Sequence, residues 1–81
     1  MRFSEEAKRG IRLQLELMNA VDENAIKYFE GKLVIYEDFQ SKGMKGFSLM
    51  LDSLAKRIAK IKSELDERKQ LMLEYQKAGL I

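Results

Sequence analysis

From Phe47 onward the chain returns to one stripe at alternating steps of four and three residues: Phe47, Leu51, Leu54, Ile58, Ile61, Leu65, Arg68, Met72 and Tyr75. Two turns of α-helix take about seven residues, so this spacing puts every member on one face, the a/d seam of a coiled coil or a long helical hairpin. Arg68 is the only polar member of the seam. The pattern predicts a helix over about 47–78, closed by Gly79 in the left-handed conformation with Leu80 after it. Such a rod cannot cover its own stripe. Another helix, from the same chain or from a second copy, has to lie along it.

Residues 42–46, Ser41 being the last before them, hold two glycines, Gly43 and Gly46, and form the obvious loop. What precedes the loop is less plain. Ile11, Leu13, Leu15 and Leu17 alternate with polar residues as a half-buried strand would. At about 100° per residue, however, Glu5, Lys8, Arg9, Arg12, Glu16 and Asn19 gather on one side and Phe3, Ala7, Leu15, Leu17, Met18 and Val21 on the other. The helical assignment accounts for far more residues, with Ser4 as N-cap and Glu5 and Glu6 in the first turn. It is the one we take.

Asp22 falls inside the apolar arc of that helix. It reads as a break and a fresh N-cap, which gives a helix at about 4–21 and another at about 22–41, with one continuous helix through Asp22 as the alternative. In the second, Ala25, Ile26, Phe29, Leu33 and Tyr36 form a stripe, and Gly43 is its stop signal. The β-branched pair Val34-Ile35 leaves a strand over 32–39 as the alternative.

The expected fold is therefore all-α: an antiparallel helical hairpin or three-helix arrangement over 1–81, with a long C-terminal heptad helix, completed by oligomerisation into a helical bundle. Size drives the last element. A single core in a chain this short rarely supplies more than about 3–5 kcal/mol without disulfides, a metal or oligomerisation. With no Cys and no His in the sequence, disulfides are impossible and a structural zinc site has no usual ligands. The seam residues Leu51, Leu54, Ile58, Ile61, Leu65, Met72 and Tyr75 are the expected helix or oligomer interface. Leu13, Leu17, Tyr28, Ile35 and Phe39 widen the apolar arcs beyond one stripe, and helices with wide arcs contact neighbours on two sides. With Met44 and Phe47 at the loop tip they are the candidate partner-binding residues. Arg68 is expected to lie with its stem on the core and its guanidinium in water, or else to specify register.

Function follows from the same features. Lacking His and Cys, the chain lacks the commonest general base and the best nucleophile, and its paired acids are sequence neighbours that diverge on a helix. Neither a phosphate-binding glycine loop nor a Glu-x-x-His motif is present. No catalytic, metal or cofactor site and no small-molecule substrate is expected. The longest apolar run, Leu33 to Tyr36, is far short of a membrane span, and the N-terminus lacks the core of a signal peptide, so cytoplasmic residence is the expectation. The leading function is a non-enzymatic interaction module (adaptor, regulator or inhibitor) that self-associates as a homodimer or higher oligomer and binds a protein partner. The alternative is a nucleic-acid-binding regulator using Lys42, Lys45, Lys56, Arg57, Lys60 and Lys62, although no aromatic interleaves that run. A ribbon-helix-helix DNA binder with its strand at 11–17 fails on spacing.

Overall fold

The computed structural model describes residues 3–81; residues 1–2 of the expected 1–81 unit lie outside it. Two helices form an antiparallel hairpin, α1 (Glu5–Ser41) and α2 (Ser48–Lys77), and no strand occurs among the described residues. The strand alternatives at 11–17 and 32–39 both lie inside α1. Periodicity over many residues outweighs a short alternating run because a helix gains one hydrogen bond for each residue it adds.

α1 begins as expected: Ser4 is extended (φ −64°, ψ 160°) and its hydroxyl oxygen accepts from the Ala7 N–H at 3.1 Å. It ends in a Schellman turn. Gly43 takes φ 89°, its N–H donates to the Gln40 carbonyl at 3.1 Å, and the Met44 N–H donates to the Phe39 carbonyl at 3.2 Å. α2 ends in the same way at Gly79 (φ 75°), where the Leu80 N–H donates to the Tyr75 carbonyl at 2.9 Å. Beyond that turn Ile81 folds back and is buried, sharing a cleft with Lys8, Arg9 and Arg12 of α1.

The expected break at Asp22 does not form. α1 runs through it unbroken for 37 residues, so the first two expected helices are one. An N-cap aspartate turns its carboxylate onto its own backbone, whereas Asp22 spends its carboxylate on α2. Its Oδ2 accepts from Arg68 Nη1 at 2.6 Å, with the two side chains only 23% and 16% exposed. Arg68 also donates to Asn19 Oδ1 at 3.2 Å, and Asn19 Nδ2 lies 3.2 Å from the Met72 sulfur. The residue that interrupts the first apolar arc and the one that interrupts the second seam thus satisfy each other. Arg68 does not extend to water.

The packing register follows from this pair and from Lys62–Glu30 and Lys69–Glu23, both at 3.2 Å. Ile26, Ile58 and Leu65 form the core, with Phe29, Leu33 and Ile61 packed against it. At the loop end Phe47 stacks on Tyr36 (ring centroids 5.4 Å apart) and leans on Phe39 at 5.7 Å. The molecule measures 60 × 16 × 13 Å. That cross-section is two helices side by side, a single layer with nothing over its broad faces.

Candidate protein-interaction surface

Because the hairpin is one layer thick, each helix buries one stripe and exposes the rest. In α2 the stripe is the heptad seam: Phe47, Leu51, Leu54, Ile58, Ile61, Leu65, Arg68, Met72 and Tyr75 are all buried or half-buried. Its facing stripe in α1 is Leu15, Asn19, Asp22, Ile26, Phe29, Leu33 and Tyr36, likewise buried or half-buried. These positions also step by four and three, a heptad legible in the sequence once Asn19 and Asp22 are admitted to it. Reading polar residues as outward-facing concealed that seam.

The two long edges of the interhelical groove differ. On one, the Lys62–Glu30 and Lys69–Glu23 pairs bridge the helices. On the other, Leu17, Met18 and Val21 of α1 border clefts with Arg68 and with Leu71 of α2. Large apolar side chains stay open to solvent here and along the outside of α1: Val21 is 65% exposed, Tyr28 59%, Leu17 58%, Leu13 55% and Ile35 52%. Transfer of such side chains out of water favours association by about 1.5–3 kcal/mol each when burial is complete. Among the described residues Ile26, Ile58, Leu65 and Ile81 come nearest to it, at 6–9% exposure, and no large side chain is fully buried.

The other candidate residues separate. Phe39 and Phe47 are half-buried in the aromatic cluster under the loop, so Phe47 is not a protruding contact; Met44 remains half exposed. The ring of Tyr28 carries the Lys32 ammonium 4.8 Å from its centroid. The pKa of Lys32 is raised above the ordinary lysine value, chiefly by the neighbouring Tyr28 hydroxyl.

The basic residues do not gather on one stripe. Lys42 pairs with Asp38 at 2.9 Å, Lys56 with Asp52 at 3.0 Å and Lys62 with Glu30, while the Arg57 guanidinium sits over the Phe29 ring at 5.2 Å. Among the described residues Lys45 and Lys60 have no ion-pair partner. Cross-helix partners also displace two intrahelical pairs that the spacing suggests, since Lys62 reaches Glu30 in place of Asp66 and Arg68 reaches Asp22 in place of Glu64.

No group of three or more acidic residues positioned to hold a metal ion occurs among the described residues. Within the same residues, no helix is long and apolar enough to cross a membrane. Comparison with protein-family models, with curated proteins and with solved structures finds no match to this chain.

Proposed function

We propose that this protein is a non-enzymatic helical interaction module that self-associates and binds a protein partner. One observation carries the reading: a one-layer hairpin leaves Leu13, Leu17, Val21, Tyr28 and Ile35 more than half exposed while, among the described residues, four apolar side chains are buried. Contiguous exposed apolar surface on a small protein marks an interaction site. The rigid helical support favours recognition by a helix, whose residues at i, i+3, i+4 and i+7 fit between those of a facing helix. Sedimentation or light scattering at micromolar concentration tests self-association, and co-purification tests the heterologous partner. A strictly monomeric chain that recovers no partner counts against the module as a whole.

The nucleic-acid alternative has weaker support, because three of its six basic residues are paired with carboxylates. It predicts retention on DNA or RNA that falls steeply with salt and is lost in Lys56→Glu/Lys60→Glu.

A further inference from the structure

α1 carries a second row at heptad spacing beside the one that packs on α2. Met18, Val21, Ala25, Tyr28, Lys32 and Ile35 continue steps of three and four, from Gln14 to Phe39. Each member precedes a seam residue by one position and so lies about 100° round the helix. Four of them, Met18, Val21, Tyr28 and Ile35, are between 44% and 65% exposed. α2 has the matching row, again one position before its seam: Ser53, Arg57, Lys60, Glu64, Glu67 and Leu71. Met18, Glu64, Glu67 and Leu71 line one cleft, so both rows open on the same side of the hairpin. Arg57, Lys60, Glu64 and Glu67 are exposed, and among the described residues none has an ion-pair partner. Two adjacent heptad rows on one helix are the pattern of a helix flanked by two others.

The charges of this face select its occupant. Contacts join Asp22 to Arg68, Glu23 to Lys69, Glu30 to Lys62 and Phe29 to Arg57, so residues of α1 and α2 lie level when their numbers total about 90. The α1 row is symmetric about the point between Ala25 and Tyr28. The level point on α2 falls near Ser63, within about two residues of the centre of its own row, between Lys60 and Glu64. A twofold axis through these points brings the face onto itself with the helices antiparallel. Arg57 then meets Glu67 of the second copy and Lys60 meets Glu64 of the second copy, each pair made twice. Lys32 faces Val21, and the two Lys32 residues stand about 16 Å apart, twice the Debye length of about 8 Å at physiological salt. If the loops shared one end, Lys32 would instead lie over Arg57 of the second copy. The row spans ~38 Å at about 1.5 Å per residue. Across the 16 Å width this is a footprint of ~600 Å² per copy, or ~1,200 Å² in total, at the lower bound for a specific interface.

We propose that a second copy of this chain docks on that open side, α1 on α1 and α2 on α2, antiparallel and with the loops at opposite ends. This specifies the self-association of the preceding section and rests on it. The dimer is then a four-helix bundle in which Val21, Tyr28 and Ile35 enter the core.

Charge reversal tests it. Arg57→Glu/Lys60→Glu and Glu64→Lys/Glu67→Lys each set like charges against each other, so each is expected to run at monomer mass with parental helical circular dichroism. Mixing the two makes every cross-copy pair attractive again and returns the dimer mass. Since the chain has no Cys, disulfide trapping gives the orientation: Met18→Cys and Ile35→Cys each stay uncoupled alone and couple when mixed. A monomeric parent protein overturns both this arrangement and self-association. A parental dimer that survives both charge reversals, or in which Met18→Cys couples to itself, overturns the arrangement and leaves self-association standing.

Discussion

Removal of the Asp22–Arg68 pair is the sharpest test of how the hairpin is held in register. Asp22→Leu leaves the Arg68 guanidinium in a site where its side chain is 16% exposed, with Asn19 as its remaining partner at 3.2 Å. Removing one partner of a fully buried pair costs about 3–5 kcal/mol, and of an exposed pair about 0–1 kcal/mol. The intermediate exposure puts the expected loss at ~2 kcal/mol, which lowers the melting temperature by ~8–16 °C in a chain of this size. Arg68→Leu strands Asp22 at similar cost. Asp22→Leu/Arg68→Leu completes two apolar seams and is expected to recover to within ~1 kcal/mol of the parent, or to exceed it. The coupling is therefore large, ~3 kcal/mol, at the upper end for residues in direct contact. Thermal and urea unfolding followed by far-ultraviolet circular dichroism, at one fixed protein concentration because association shifts the midpoint, measures all four corners of the cycle. Single substitutions costing under ~0.5 kcal/mol, or effects that simply add, would show that the pair is ornamental and that apolar packing alone sets the register.

Other perturbations probe separate links. Ile58→Ala in the core, where the residue is 7% exposed, is expected to destabilise by ~2–4 kcal/mol in the same unfolding assay. Gly31→Ala should stabilise by ~0.5–1 kcal/mol, because Gly31 lies inside α1 with open space around the added Cβ. Gly43→Ala should cost ~1 kcal/mol, since its φ of 89° closes the Schellman turn; equal effects at these two glycines would contradict the helix boundaries. Tyr28→Phe keeps the ring and removes the hydroxyl, so the Lys32 titration observed by NMR should move down toward the ordinary lysine range. An unchanged titration would mean that the hydroxyl does not hold the ammonium.

Much of this was readable from residue order. The seam from Phe47 to Tyr75, the loop at 42–46 and both glycine-closed helix ends depend on spacings of a few residues, and local geometry alone enforces them. The misreading at Asp22 has a definite origin. Its carboxylate suits an N-cap as well as a seam position, and the choice depends on whether a cation lies opposite, 46 residues away in the chain. Likewise Phe47 is apolar whether it protrudes or stacks; its burial requires Tyr36 and Phe39 to be brought beside it by the hairpin. Lys62 had one candidate partner along its own helix, Asp66, and found Glu30 across the groove.

The chain by itself determined that it would be helical, that helices would close at Gly43 and Gly79, and which stripe of α2 would be covered. Those properties arise from periodicity, capping and the absence of proline within a few turns of backbone. Only the tertiary arrangement decided that α1 is continuous, that Asp22 belongs to Arg68, and which edge of the groove is bridged by ion pairs and which is left without them. Each of these depends on the level at which two antiparallel rods meet, and that level is a balance among contacts far apart in sequence.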